Sequence, residues 1–515
     1  MNVRAPHLFV IGVLIGACVS QATSVTVEAT PPAPRTFTGT VVFQARTATP
    51  TGASRAMQWR PVRLAKVRGV DAAGEEIAST TLDEEGRFVL EGTDRVDHLE
   101  VVAHIHEGEW DLAVTTDSAG ESDHRVVVPA SEAPLEVRID DGQEAAGAFH
   151  ILDSILMGSR AVEEWTGQTL PPFFAYWSRG VTTNWSFYLG DRGSGRYSIE
   201  LLGGEPGQQN TTDTDEHDEM IVLHEFGHFV MDVLSSDSSY GGQHPRGFLI
   251  LPGLAWEEAR ATWFATMVLK SPMYLDTIGV EPTGRLRISH DLERGDRNDV
   301  RGVGSESGIA EILWDLADGT EALPDQDQDG IALGPAAVLQ GMINLGREPG
   351  AHPAITTFLQ HLVESEGASL DQVKHVLELG GHPNDLLPGG AEWPVDIEVP
   401  GKVSDKIDGL SDPAPSGGPP RPVNGQDAIH VYRFQLTEPG RVVATLEIFG
   451  SGRAADHTDL DLEIRDIRAD LIDSSRGEGP LETLSRHLDA GWYVVHVRDG
   501  GNGNRAGYEL RLDTR

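Results

Sequence analysis

The spacing of hydrophobic positions changes repeatedly along the 515-residue chain, and each change marks a boundary. After Met1-Asn-Val-Arg4, an apolar run from Leu8 to Ile15 has the layout of an export signal and is too short to span a bilayer. Residues 18–35 are rich in Thr, Ala and Pro, with Thr30-Pro-Pro-Ala-Pro34 at their centre, which predicts an extended tether with little to bury. Over 36–140 the period is two, in short runs such as Thr38-Gly-Thr-Val-Val-Phe43, Arg87-Phe-Val-Leu90 and His98-Leu-Glu-Val-Val-Ala-His104 between Gly/Asp turns, as in a β-sandwich. From about Gly142 the period becomes helical. Ala148, Ile151, Leu152, Ile155, Leu156 and Val162 share one face of a predicted helix that ends near Trp165-Thr-Gly167. This helix opens a second domain, 141–395, with further helices and one clear strand at Tyr197-Ser-Ile-Glu-Leu-Leu202, an α+β pattern. Residues 396–424 include the Pro/Gly/Ser-rich stretch Asp412 to Pro422 and read as a linker. Alternating runs return over 425–515, among them Val431-Tyr-Arg-Phe-Gln-Leu436 and Gly491-Trp-Tyr-Val-Val-His-Val497. The expected fold is multidomain: an N-terminal β-sandwich, a central α+β domain and a C-terminal β-sandwich.

The central domain contains Val222-Leu-His224-Glu225-Phe-Gly-His228-Phe229, an H-E-x-x-H in an apolar helical context. Residues four apart share a helix face, so both imidazoles can reach one ion, while Glu225 is offset enough to hold a water. Zn²⁺ would lower the pKa of that water to about 7, and Glu225 would accept its proton as general base. Upstream, Asp213, Asp215, Glu216, Asp218 and Glu219 put negative charge where the helix dipole favours it. Downstream, Pro252-Gly253 starts a second predicted helix that stops at Ser271-Pro272 and carries two adjacent glutamates. Glu258 shares its face with Leu254, Ala255, Ala261, Thr262, Ala265 and Leu269, the small uncharged surface that close helix packing requires. Glu257 shares its face with Arg260, as an exposed pair or a support behind the ligands.

This arrangement resembles the gluzincin, thermolysin-like class of zincin metallopeptidases, in which a glutamate on a second helix completes the metal set. The resemblance implies Zn²⁺ on His224, His228 and Glu258, with Glu225 as catalytic base. The sequence departs from the class in two places. The interval between His228 and Glu258 is longer than in thermolysin, and the histidine expected to stabilise the transition state falls on Gly304. His290, read as a loop residue, is the other candidate donor, against an ordinary surface histidine.

The flanking modules also carry resemblances. Thr80-Thr-Leu-Asp83-Glu-Glu-Gly86-Arg-Phe88 looks like the turn-and-strand signature of carboxypeptidase-regulatory-like domains, and the last 90 or so residues resemble the bacterial pre-peptidase C-terminal domain. Ile15-Gly-Ala-Cys18 resembles a lipobox, which implies cleavage after residue 17 and acylation of Cys18, the only cysteine in the chain. The alternative is an ordinary signal peptide that contains a cysteine. Val19 is not the aspartate associated with inner-membrane retention, so the expected address is the outer membrane or cell surface, or the extracellular space after release. Asp325-Gln-Asp327-Gln-Asp329-Gly330 has the opening of a Ca²⁺ loop, but Ala336 stands where the bidentate glutamate of an EF-hand would be, and a plain acidic turn is the alternative. A net charge of −40 opposes nucleic acid and anionic membrane surfaces as partners, leaving the lipid as the only membrane contact. The expected function is hydrolysis of protein or peptide substrates by a lipid-anchored zinc metallopeptidase, an endopeptidase in the absence of any motif for a free terminus. The rival is a catalytically idle adhesion or scaffold lipoprotein with a structural zinc site, which would have no need of Glu225.

Overall fold

The computed structural model describes residues 33–131, 133–191, 195–208, 210–296, 299–320, 323, 330–407, 428–450, 459–500 and 506–515. Cys18 and the acidic loop Asp325, Asp327, Asp329 lie outside the described residues. The protein is β-rich and multidomain, with seven α-helices among the described residues: α1 (Glu144–Thr166), α2 (Glu219–Leu234), α3 (Pro252–Leu269), α4 (Glu306–Ala317), α5 (Pro335–Gly346), α6 (Ile355–Glu364) and α7 (Leu370–Leu379). Among these residues no helix is long and apolar enough to cross a membrane.

At the N-terminal end, strands Leu135–Ile139, Pro34–Ala45 and Gln58–Pro61 form one sheet, with Arg87–Thr93 also paired to Pro34–Ala45. Strands Arg125–Pro129, His98–Val102, Lys66–Val70 and Glu76–Thr81 form another. Alternate residues such as Phe37, Val41, Phe43, Val67, Leu99 and Val101 point inward and are fully buried, which is the two-residue period of half-buried strands. This segment does not close on itself as the sequence predicts. Two of its strands, His104–Glu107 and Trp110–Thr115, cross the expected boundary at residue 140 and enter the central sheet. That sheet runs Phe187–Leu189, Tyr197–Glu200, Phe173–Tyr176, Trp110–Thr115, His104–Glu107, with the middle three strands parallel and both outer strands antiparallel to their neighbours. One hydrophobic core continues from the N-terminal sheets through α1 to the central helices.

Helix α1 stops as expected at Gly167, whose left-handed φ of 66° returns its N–H to Glu163. Helix α2 is anchored to the sheet by aromatic rings: Phe229 lies 4.5 Å from Phe173 and 5.1 Å from Tyr197, and Phe226 lies 5.1 Å from Phe173. Its neighbour is α3, and the two approach closely because Gly227 faces Ala261. A Cβ on Gly227 would sit 3.0 Å from the Ala261 Cα and 3.1 Å from its carbonyl oxygen.

The acidic run before α2 is buried rather than displayed to solvent. Asp218 directly precedes the helix, yet its carboxylate accepts hydrogen bonds from the backbone N–H (3.0 Å) and hydroxyl (2.8 Å) of Thr277 on strand Met273–Ile278. Asp213 is paired with Arg287 and Asp215 with the Ser186 hydroxyl. Asp276 comes across from the same strand as Thr277, so that Asp213, Asp215 and Asp276 offer oxygens within 4.8 Å of one another. Burial, then the charge of Asp213, pushes Asp276 up to about 7 against the pull of Arg287. Burial and then Asp276 raise Asp215 and Asp218 as well.

Beyond α7, strands Val395–Asp396, Ile429–Leu436, Gly491–Asp499, Leu460–Asp466 and Leu471–Ser475 form one sheet and Gly401–Ile407, Ala506–Thr514, Gly440–Gly450 and Leu481–Leu488 another. The two sheets share a core built from Phe434, Leu446, Leu462, Val497 and Leu510. Residues 396–424 were expected as linker throughout. Gly401–Ile407 instead pairs residue for residue with Leu512 to Ala506, so the C-terminal body begins at Val395.

Two outcomes follow for stability. Gly227→Leu forces a branched side chain against the α3 backbone and should lower stability by about 1–3 kcal/mol or more, read from the chemical-denaturation midpoint; an unchanged midpoint would contradict the close helix crossing. For Asp276, a folded pKa of about 7 lies above the ordinary 3.8, so its contribution is present in the protonated state and is lost as pH rises toward and through 7. In chelator, Asp276→Asn should therefore melt higher than the wild type at pH 8, and that gap should narrow as pH falls from 7 and close only below the ordinary carboxyl value of 3.8. Equal melting temperatures at pH 8 would show that Asp276 carries no such penalty.

Candidate metal centre

The helix period places His224 and His228 one turn apart on α2, and the Gly227–Ala261 crossing brings α3 within reach of both. Their Nε2 atoms each lie 3.3 Å from the same oxygen, Glu258 Oε2. The two rings are nearly perpendicular, with centroids 4.9 Å apart. One ligating atom from each of the three residues falls within 4.8 Å of the others, and the group is largely buried, so it can hold a metal ion. The donor set is two imidazoles and a carboxylate, with Glu225 buried beside them on α2. One turn beyond Glu258 on the same face of α3, Thr262 Oγ1 lies 3.1 Å from His224 Nδ1, which orients that ring with Nε2 toward Glu258.

Electrostatics within the group are strong. Burial alone would lower the His228 pKa, but Glu258 and Glu225 outweigh it and push it up to about 9. Burial alone would raise Glu258, yet His244, His228 and His224 hold its carboxyl well below the usual range. Glu225 is raised, by burial first, with Glu258 adding to it and the histidines opposing. Without an ion His228 therefore holds a proton against the carboxylates, and metal binding must displace it.

The periodicity argument for Glu258 over Glu257 agrees with the geometry, although Glu257 is not exposed. It is 1% accessible and paired with Arg260, which is fully buried, and it accepts from the Ser238 backbone at 3.3 Å. Arg260 also donates to the Ser236 carbonyl at 2.9 Å and lies over the Trp256 ring at 5.2 Å. The pair braces the segment that leaves α2 and belongs to no metal group.

His290 differs from both of its readings, as a donor on a loop and as an ordinary surface histidine. It sits on strand Arg285–Asp291 and is buried, with Arg246 Nη2 at 3.0 Å from Nδ1 and Glu311 Oε1 at 2.9 Å from Nε2. Nδ1 thus accepts from the Arg246 guanidinium, while Nε2 is buried against the Glu311 carboxylate without hydrogen-bond geometry. Gly304 is buried, and its carbonyl accepts from Ile250 N–H at 2.9 Å. Two groups that the sequence reading did not name do face the centre. His244, in the loop between α2 and α3, holds Nε2 3.8 Å from Glu258 Oε2 and Nδ1 3.0 Å from Glu306 Oε2. The charges of Glu258 and Glu306 push it up to about 10 against burial. Tyr274 is buried with its ring centroid 5.8 Å from that of His224, and burial together with Asp276, Glu225, Glu306 and Glu258 keeps its hydroxyl protonated. Neither has a sequence signal: His244 lies in Gly241-Gly-Gln-His244-Pro-Arg-Gly247, which has no period, and Tyr274 needed the register of a hairpin.

No family model matches the chain, and no curated protein matches it. Among solved structures, it is distantly similar to the pre-peptidase C-terminal domain of a collagenase from Bacillus anthracis, at 12% identity over 24% of this chain and 96% of that one, with a TM-score of 0.18. It is similar at 13% identity, over 24% and 98% of the two chains and with a TM-score of 0.15, to PliG of Aeromonas hydrophila, a periplasmic inhibitor of g-type lysozyme. A cycloisomaltooligosaccharide glucanotransferase from Paenibacillus is 8% identical over 92% of this chain and 72% of its own, with a TM-score of 0.13.

Proposed function

We propose that the protein is a zinc-dependent peptidase in which His224, His228 and Glu258 hold the ion and Glu225 is the general base. The observation that carries this reading is the convergence of both Nε2 atoms on one Glu258 oxygen at equal distance, from two helices, with a buried carboxylate alongside. Two imidazoles and one carboxylate are the protein donors of a catalytic zinc site that leaves a position for water. Bound there, zinc would lower the pKa of water and polarise a carbonyl. Glu225 is positioned to receive the proton, and burial raises its basicity to suit that role. On this reading His244, with Nε2 3.8 Å from Glu258 Oε2, and Tyr274, with its ring 5.8 Å from that of His224, take the transition-state role, whereas His290 packs against Arg246 and Glu311. Among the described residues, strand Phe187–Leu189 packs against α2 and pairs on one side only, with Tyr197–Glu200, which offers an extended peptide an edge to lie along. On this reading the flanking modules are of the carboxypeptidase-regulatory-like and pre-peptidase C-terminal types, and Cys18 is the lipid anchor of an exported enzyme. These assignments rest on the sequence resemblances.

Glu225→Gln should retain metal and cut the turnover of peptide substrates by at least about a hundredfold, since it removes the base and spares the ligands. Equal turnover by the two proteins would defeat the assignment, and no turnover by either would favour an idle scaffold. The neighbouring glutamates separate by a different pair of readouts. Glu258→Ala should lose the bound metal. Glu257→Ala should keep its metal when folded but lose about 3–5 kcal/mol of stability, because Arg260 is left as a buried unpaired charge. Metal analysis and thermal melts of both variants check this, and metal loss in Glu257→Ala alone would move the ligand role to that residue.

A further inference from the structure

The hairpin at the outer edge of the central sheet carries a separate set of ligating groups. His104 and His106 are two apart on strand His104–Glu107, so their side chains leave the same face. Across the hairpin, Asp111 stands opposite His106 and Ala113 opposite His104. Opposed residues share a face, and the small Ala113 leaves space beside His104 that the Asp111 carboxylate crosses diagonally, bringing Oδ1 to 2.7 Å from His104 Nε2. One ligating atom from each of His104, His106 and Asp111 falls within 4.8 Å of the other two.

The far side of His104 is also defined. Its Nδ1 lies 3.0 Å from Asp123 Oδ2. An ionised carboxylate can only accept, so this contact keeps a proton on Nδ1 and leaves the Nε2 lone pair of the neutral ring aimed at Asp111 and His106. A carboxylate behind the imidazole is the partner that metal-bound histidines take to fix their tautomer. With no ion present, Asp123 and, after the opposing effect of burial, Asp111 hold the ring toward its protonated form, the state a cation would replace.

We propose that His104, His106 and Asp111 form a second metal site, for a borderline divalent cation of the zinc or copper(II) class, on the solvent-facing edge of the central sheet. Imidazole nitrogens select this class over calcium and magnesium, which favour all-oxygen sites. His106 is exposed, so the remaining coordination position opens to water or to a group from outside the chain. Glu107 and Glu109 at the exposed turn, with Asp111 and Asp123, give the hairpin a negative field that attracts cations.

The test is Zn²⁺ titration of the metal-stripped full chain at micromolar free metal, comparing wild type, His106→Ala, Asp111→Asn, His224→Ala and the His106→Ala/His224→Ala double variant. His106→Ala and Asp111→Asn should each bind one equivalent fewer than wild type, with unchanged circular dichroism. The double variant should bind two fewer, because His224 belongs to a different site. Co²⁺ substitution gives a second readout, since the visible absorption lost with His106 should differ from that lost with His224. A stoichiometry that neither His106→Ala nor Asp111→Asn changes would overturn the proposal and leave the His224 centre untouched. Loss in His224→Ala alone would do the same.

Discussion

Helices α2 and α3 must cross almost in contact for the candidate centre to exist. A single helix can present only two imidazoles to one point with a four-residue spacing, and the third donor has to come from a neighbour whose backbone is close enough for a glutamate to reach. Gly227, between the two histidines in sequence, removes the side chain that would hold α3 away, and Ala261 meets it with the smallest alternative. Glu258 lies three residues before Ala261 and Thr262 one after, so the crossing that brings in the ligand also brings in the group that orients His224. The opposite side of α2 is fixed by Phe226 and Phe229 against Phe173 and Tyr197. One face of a 16-residue helix thus locks the element to the sheet while the other carries the chemistry.

Burying that chemistry has consequences for charge. A surface with a formal charge of −40 is tolerable because water screens it, but the interior has no such remedy. Glu257, Glu258 and Glu311 are each buried, and each meets a cationic or protonatable partner: Arg260, the histidine cluster, and Arg301 at 2.6 Å. Breaking any of these would leave an ion unpaired in a poor solvent for it. The acidic group ahead of α2 is organised differently. Asp213, Asp215 and Asp276 converge with Arg287 as the nearby cation, and burial raises all three, with neighbouring carboxylates adding to it at Asp215 and Asp276. Glu258 and Asp276 therefore move in opposite directions, and the sign is set by what else is buried with them.

Features governed by spacing along one element were legible in the sequence. The 3.6 period located α1, α2 and α3, H-E-x-x-H paired His224 with His228, and the small-residue face of α3 separated Glu258 from Glu257 before any packing was known. What escaped depends on pairing between distant segments. Trp110–Thr115, ahead of the expected boundary at 140, finds its partner in Phe173–Tyr176 beyond it, and Gly401–Ile407, inside the expected linker, pairs with Ala506–Thr514. Neither partner can be identified from a strand's own alternation. His290 was misread for a different reason: Arg285-Leu-Arg-Ile-Ser-His290-Asp does alternate, and its alternation places it on a strand against Tyr274 rather than in a loop.

The loop that delivers His244 is held at a second point, four residues earlier, by the C-terminal body. Tyr240 is half-buried between the central domain and the C-terminal sheet, with its ring 4.4 Å from His496 and the Arg465 guanidinium 5.6 Å above it. Its hydroxyl lies 2.5 Å from His352 Nε2, while His352 Nδ1 lies 3.1 Å from the Ile467 carbonyl in the turn after strand Leu460–Asp466. A carbonyl only accepts, so Nδ1 carries the proton and Nε2 must accept from the tyrosine. Burial first, with the charge of Arg433 adding to it, holds His352 at about 4, so this neutral tautomer persists across the physiological range. Trp492 and Arg433 close the same seam against Gly350, with Arg433 donating to its carbonyl at 2.7 Å. The C-terminal body therefore does more than extend the chain: its contacts hold Tyr240, four residues before His244 in the same loop, and His244 in turn lies 3.8 Å from Glu258 Oε2.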